Sequence, residues 1–196
     1  MIKNNNKILV IIPVRGNSKR LKNKNILPIN GQPMFLYVIK NIIKSKNILR
    51  IVVTTESKKI MEICKLNNIE YIKRPVNLSK DNVEKQEAVV HATRYMVSKK
   101  KFKPKIVISI QVNTPQINAK DLDKAITFFK KIFRGKKIKE VFSVNSDGLQ
   151  TGAYRIMTLK TVFQRTLSTK VGVCKNDYID IHYKKEYLKT KRMIEK

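Results

Sequence analysis

The chain has 196 residues, 42% of them hydrophobic, enough for one substantial core and short for two, so a single domain over residues 1–196 is expected. Lys and Arg number 43 against 14 Asp and Glu, a formal charge of +29 that raises nucleic-acid binding as a class. Zinc-finger spacing, RNP-type aromatic motifs and an arginine-rich tail are all missing from the sequence, which argues against that class.

Lys, Asn and Ile dominate throughout the chain and do not cluster in one tail, as a proteome-wide compositional drift would produce. Cys64 and Cys174 form no CxxC pair and no His-Cys cluster of the kind that binds zinc. No run of about 18 apolar residues occurs, and Met1 to Lys7 is too polar for a signal-peptide core. The expectation is a cytoplasmic protein with reduced thiols and no membrane partner.

Ile8 to Pro13 is a continuous apolar run of the kind that forms a strand buried on both faces. It empties into a loop with five cations in ten residues: Arg15, Lys19, Arg20, Lys22 and Lys24. Such strands end at the carboxyl edge of a parallel sheet, where ligands bind. Gly16 allows close backbone approach, Asn17 and Ser18 offer neutral hydrogen bonds, and the cations match phosphate oxygens, so a polyphosphate is the expected guest. The first 55 residues contain no Asp or Glu, which places the loop in positive potential.

Arg15, Ser18, Lys19, Leu21, Lys24 and Asn25 stand in the order Arg-x-x-Ser-Lys-x-Leu-x-x-Lys-Asn. This resembles the signature of the sugar-acid cytidylyltransferases, most closely the acylneuraminate branch. It differs from the Walker loop, which needs Gly-Lys-Ser/Thr opening into a helix, and has too few glycines for the dinucleotide fingerprint.

Further along, Gly31-Gln32-Pro33 is expected to open a helix with Phe35, Val38, Ile39, Ile42 and Ile43 on its inner face. Leu49 to Thr54 reads as a second buried strand, and Ser57 as the cap of a helix carrying Ile60, Ile63 and Cys64. That strand ends Thr54-Thr55-Glu56, where the family has Ser-Thr-Asp. Ile69 to Ile72 is a short third strand leading to Arg74-Pro75-Val76-Asn77-Leu78-Ser79-Lys80-Asp81, which resembles the family segment Arg-Pro-x-x-Leu-x-x-Asp. Asp81 and Glu84 have capping-box spacing, so Asp81 is a candidate helix cap. His91 shares a face with Ala88 and Tyr95 and reads as a packed, satisfied histidine.

Lys105 to Ile110 is the fourth strand, followed by Gln111-Val112-Asn113-Thr114-Pro115. In the acylneuraminate branch this place tends to read Gln-Pro-Thr-Ser-Pro. The related Kdo enzymes have Gln-Gly-Asp-Glu-Pro with a metal-holding Asp, whose position Asn113 takes. The amide of Gln111 both donates and accepts, which suits a pyrimidine edge. Asn118 and Asp121 open a helix with Leu122, Ala125, Ile126, Phe129 and Phe133 inward and Gly135 as its stop. Val141 to Val144 is a strand, and Leu149 to Ile156 resembles the family's Asn-Gly-Ala-Ile-Tyr segment with Thr151 in place of Asn. The spacing to this point is shorter than the family shows, in the region where the family builds its sugar pocket and dimer arm.

Finally, Tyr178 to Leu188 resembles the family's Asp-Ile-Asp-x-x-x-x-Asp element, with Asp180, His182 and Glu186 at its acidic positions. Strand alternation would put Asp180 and His182 on one face.

The repeated strand-helix order reads as one α/β domain, a mainly parallel sheet with helices on both faces. The resemblance implies a three-layer Rossmann-like nucleotidyltransferase domain. It also implies a reaction that joins CMP from CTP to the anomeric hydroxyl of a sialic-acid-like sugar acid, with release of pyrophosphate, for cell-surface glycan synthesis. Arg15 and Lys24 would be catalytic. Arg15, Gly16, Asn17, Ser18, Lys24, Asn25, Arg74 and Gln111 would hold the nucleotide. Asp180 and His182 would hold magnesium, or manganese where the imidazole favours it. CTP and a sugar acid are the implied partners, with a homodimer as the implied assembly. A non-catalytic nucleotide- or sugar-binding relative and a basic nucleic-acid-binding module stand as the alternatives.

Overall fold

The computed structural model describes residues 7–134, 138–164 and 168–195. Gly135, expected to stop a helix, and Met1 to Asn6 lie outside the described residues. In chain order the elements are β1 (Ile8–Pro13), a hairpin of β2 (Pro28–Ile29) and β3 (Gln32–Pro33), α1 (Met34–Ile42), β4 (Arg50–Thr55), α2 (Lys58–Leu66), β5 (Tyr71–Lys73) and α3 (Lys85–Ser98). They continue with β6 (Ile106–Ile110), α4 (Ala119–Arg134), β7 (Glu140–Val144), β8 (Gln150–Thr158), α5 (Leu159–Val162), β9 (Val171–Lys175) and α6 (Lys184–Ile194).

Seven strands form one sheet in the order β5-β4-β1-β6-β8-β7-β9. β1 pairs in parallel with β4 and β6, and β4 with β5; β8 alone runs against its neighbours β6 and β7. Alternation along β1 explains the layering. Ile8, Val10 and Ile12 join one core with α1, α2 and α4, through residues such as Phe35, Ile60, Cys64 and Phe129. Leu9 and Ile11 join a second core with Val89, Ala92 and Met96 of α3 and Val162 of α5. Helices therefore cover both faces, and the expected three-layer, mainly parallel α/β architecture is present.

Several local expectations are corrected. Residues 30 and 31 both have positive φ, 48° at Asn30 and 71° at Gly31, so they turn a two-residue hairpin and the helix starts only at Met34. The apolar stripe of α1 stops at Ile42, since Ile43 follows the last helical residue and is 64% exposed. Leu49 is exposed and precedes β4, and β5 starts at Tyr71 instead of Ile69. Phe133 is 45% exposed and stacks on Phe129 with ring centroids 5.6 Å apart.

Asp81 does not cap α3. The helix begins four residues later with Glu84 at the cap position, and Asp81 turns to Arg15 and Lys19. His91 is half-buried but its Nδ1 has no partner among the described residues, so it is packed without being satisfied. Burial, with Arg74 adding, lowers its pKa. The Ser57 cap and the Asn118 cap are both formed, with Ser57 Oγ accepting from Ile60 N and Asn118 Oδ1 from Asp121 N. Cys64 is fully buried and burial pushes its thiol up to about 11, so it is an inert packing group.

Candidate active site

The parallel neighbours β5, β4, β1 and β6 all end at one sheet edge; Arg74, Glu56 and Gln111 directly follow β5, β4 and β6, and the Arg15 loop follows β1 after the buried Val14. Four stretches far apart in sequence thus meet because parallel strands share an end. Between them lies a cleft of about 500 Å³, walled by Arg15, Asn17, Ser18, Lys24, Arg74 and Gln111. Lys19, Arg20, Asn25, Lys85 and His182 also line it. A cleft so rich in cations suits a polyphosphate.

Glu56 is a hub beside this cleft, on the wall of a neighbouring cavity. Its Oε1 accepts from the Gly16 N–H at 2.7 Å, and its Oε2 accepts from Arg74 Nη2 at 2.6 Å and from Ser79 Oγ at 2.8 Å. Burial alone would raise the Glu56 pKa, but these donors outweigh it and hold the carboxyl below its usual value. Arg74 is 2% exposed, and its Nε has no partner among the described residues.

A side chain at residue 16 would bring its Cβ within 2.8 Å of Ser57 Cβ, so the glycine serves the loop's approach to α2. Gly16 borders a neighbouring cavity of about 290 Å³ and not the main cleft. Asn25 Nδ2 donates to the Arg15 carbonyl at 2.8 Å, tying the two ends of the loop together. Arg15 Nη1 lies 3.0 Å from Asp81, and Lys19 Nζ 2.8 Å from the same carboxylate. Asp81 thus holds two loop cations where an anionic ligand would otherwise meet them.

Asp180 and His182 do come together, with His182 Nε2 3.3 Å from Asp180 Oδ2, but not by strand alternation. Residues 176–182 are irregular. They are held by long-range bonds: Ile181 N donates to the Asn113 carbonyl at 2.8 Å, and Ile179 N to Gln116 Oε1 at 2.8 Å. Lys24 Nζ donates to the Ile181 carbonyl at 2.8 Å. Burial lowers the Lys24 pKa, Asp180 opposes this, and Arg20, Lys85 and Arg15 add to it.

Asn113 Nδ2 donates to Asp180 Oδ1, while Asn113 Oδ1 is buried without a partner among the described residues. Glu186 does not join this group. It bonds the Tyr183 N–H at 2.6 Å as the capping box of α6, which leaves Asp180 as the carboxylate beside His182. No group of three or more His, Cys, Asp and Glu fit for a metal occurs among the described residues. One carboxylate with an orphaned amide oxygen nearby fits magnesium only in its usual style, with waters and substrate phosphates completing the shell.

The sequence reading missed Lys85. Its Nζ donates to Gln111 Oε1 at 2.6 Å, and burial lowers its pKa, with Asp180 opposing and Arg15 and Arg20 adding. Lys85 looked like one more lysine in a lysine-rich chain, and only its place in the first turn of α3, facing the end of β6, singles it out. Glu56 was likewise seen only as a variant of the family's Asp. A second cleft of about 470 Å³ adjoins the first and shares Lys85, Gln111, Ser109 and Glu84 with it. Gly152, Tyr154, Arg155 and Asp180 complete much of its wall. Arg155 is committed within it, its Nε and Nη2 binding the buried Glu140 at 2.8 and 2.6 Å.

The chain is similar to several known proteins. The 3-deoxy-manno-octulosonate cytidylyltransferase of Wigglesworthia glossinidia brevipalpis is 30% identical over 173 residues, which cover 87% of this chain and 61% of that protein. The N-acylneuraminate cytidylyltransferase of Escherichia coli is 34% identical over 86 residues, 44% of this chain and 20% of that protein. A pseudaminic acid cytidylyltransferase of Campylobacter jejuni is 32% identical over 124 residues, 63% of this chain and 53% of that protein. The chain therefore spans between 20% and 61% of the length of these relatives. In shape, it matches the solved structure of CMP:2-keto-3-deoxy-manno-octonic acid synthetase complexed with CTP with a TM-score of 0.76 at 13% identity, covering 96% of this chain and 98% of that one. A cytidylyltransferase from Leptospira borgpetersenii serovar Hardjo-bovis matches with a TM-score of 0.72 at 18% identity, covering 97% and 87%. The cytidylyltransferase family model matches residues 9–178, from the first strand to the segment that carries Asp180, and the chain belongs to the cytidylyltransferase family.

Proposed function

We propose that this chain transfers CMP from CTP to the anomeric hydroxyl of a sialic-acid-like (nonulosonic) sugar acid. The observation that carries the reading is the cationic cleft at the shared end of β5, β4, β1 and β6, where Arg15, Lys24 and Gln111 line one wall space. In the reaction the anomeric oxygen attacks the α-phosphorus, the bond from that phosphorus to the bridging oxygen breaks, and pyrophosphate leaves. The hydroxyl proton passes to water. No protein nucleophile is needed, so the residues act by positioning and by neutralising charge.

Arg15 and Lys24 face the phosphates, with Asn17 and Ser18 as neutral donors beside them. Gly16 and Asn25 shape the loop, Arg74 and Glu56 brace it, and Gln111 meets the base. The adjoining cleft of about 470 Å³ is assigned to the sugar acid, because it shares Lys85 and Gln111 with the nucleotide cleft. Asp180, with His182 beside it, would hold magnesium, which supplies charge neutralisation at the phosphates. No helix among the described residues is long and apolar enough to cross a membrane.

Pyrophosphate release, measured with CTP against a panel of nonulosonic acids and 3-deoxy-manno-octulosonate, tests the reading. Release with one nonulosonic acid is the expected result. Tight CTP binding with no release from any sugar acid would instead identify a non-catalytic nucleotide-binding relative. Binding that follows salt and phosphate count alone, whatever the base, would identify a general polyanion binder.

The metal assignment has its own test. His182→Asp adds a hard anionic ligand beside Asp180, so magnesium should bind more tightly and saturate release at lower concentration. The native protein should favour manganese over magnesium more than the variant does, because imidazole prefers transition metals. Titration of each metal, read by calorimetry as well as by release, decides it. Identical magnesium curves would remove residue 182 from the metal site.

A further inference from the structure

Gln111 is the residue that meets the base in the proposed function, and the present inference rests on that reading. An amide side chain offers a carbonyl on one side and an NH2 on the other, and a swap of the two reverses what it recognises. Which way such an amide points follows from the hydrogen bonds around it. Here the chemistry of one neighbour settles it. Lys85 Nζ sits 2.6 Å from Gln111 Oε1, and an ammonium group has only donors, so the amide atom facing it is the oxygen. A flip would set the NH2 against the ammonium and lose a charge-assisted bond.

The floor under the amide is equally restrictive. A Cβ at Gly152 would lie 2.9 Å from both Cδ and Oε1 of Gln111 and 3.1 Å from Nε2, so the amide rests directly on the glycine backbone. The Gln111 N–H donates to the Gly152 carbonyl at 3.3 Å, which fixes the root of the side chain as well. Gln111 Nε2 has no hydrogen-bond partner among the described residues, and Gln111 borders both clefts.

We propose that Lys85 and Gly152 lock the Gln111 amide with its NH2 presented to the base, and that this lock makes the site select cytosine over uracil. O2 is an acceptor in both bases, so the distinction lies at N3, which in cytosine is an acceptor that an NH2 group facing it satisfies. Uracil carries N3–H at the ring position between its two carbonyls, so the locked NH2 meets a donor there. An unlocked amide could turn its oxygen to that N–H and bind either base. Lys85 is thus a positioning residue for specificity, acting through Gln111.

The test is calorimetric binding of CTP and UTP to the full chain, without sugar acid and at constant salt. The native protein is expected to bind CTP about tenfold or more tightly than UTP, the penalty of one unsatisfied donor. Lys85→Met should weaken both nucleotides through the lost charge and bring the CTP-to-UTP ratio close to one. Lys85→Arg, still a donor only, should keep most of the native ratio. Gln111→Glu replaces the NH2 with an acceptor and should shift preference toward UTP, which reads the same idea without touching Lys85. A native ratio retained by Lys85→Met, or a Gln111→Glu variant that still prefers CTP, overturns the proposal. Equal binding of CTP and UTP by the native protein overturns it while leaving nucleotide binding intact. Absence of CTP binding would overturn the cytidylyltransferase reading itself, and this inference with it.

Discussion

Lys24→Ala is expected to lower turnover with CTP by about a hundredfold or more, since removing one group that stabilises developing oxyanion charge costs about 3–4 kcal/mol in a water-poor site. Lys24 is well placed for this. It lines the cationic cleft at the sheet edge, is largely buried, and has its ammonium anchored 2.8 Å from the Ile181 carbonyl. Burial lowers its pKa, so its charge is lost as pH rises at a lower pH than for a free lysine. Activity should accordingly fall on the alkaline side below the ordinary lysine range, and Lys24→Arg should move that limb upward. Because the same ammonium tethers the segment carrying Asp180, circular dichroism must show that the alanine variant is folded. Unchanged kinetics in a folded variant would remove Lys24 from the reaction.

Glu56→Ala should cost about 3–5 kcal/mol of folding stability, the scale of breaking a buried ion pair by removing one partner. Arg74 is 2% exposed and would keep its charge without its carboxylate, while the Gly16 N–H and Ser79 Oγ would lose their acceptor. Urea unfolding should show a clearly lower midpoint. An additional Arg74→Met should recover part of the loss, because the stranded charge is then gone. The pH dependence has a definite sign. The folded-state pKa of Glu56 is depressed, so its contribution is present above the unfolded carboxylate pKa and is lost as pH falls through the folded one. The native protein should lose stability in acid over that window, and Glu56→Ala should lose less there. A change under about 1 kcal/mol would show that Arg74 finds another partner or that solvent reaches the pair.

The two variants separate the two jobs of the loop. In the proposed function Lys24 acts on the ligand, whereas Glu56 braces the loop, so the first should change rate with little change in stability, and the second should change both. The start of the Arg15 loop is tied at two points: its carbonyl at Arg15 is held by Asn25 and its N–H at Gly16 by Glu56. Losing the second tie should loosen CTP binding along with the fold.

The sequence by itself determined the layered α/β architecture, the cationic loop after the first strand and the family. Each rests on local pattern: the unbroken apolar run Ile8 to Pro13, the helical spacing of Leu122, Ala125, Ile126 and Phe129, and the closely spaced cations of residues 15 to 24. Where the pattern was short, boundaries slipped, as in the two-residue strands on either side of Asn30-Gly31. Tertiary structure alone decided which polar groups meet. Asp81 sits 66 residues from Arg15, Glu56 is 40 from Gly16, and Lys24 is 157 from Ile181. The Asp180–His182 pair belongs to an irregular segment held by Asn113 and Gln116, so no strand period could place it. Lys85 meets Gln111 only because α3 starts where β6 ends at the same sheet edge. The reason is physical: periodicity records burial along one element, whereas a polar site is set by how the ends of separate elements converge, which no local window of sequence contains.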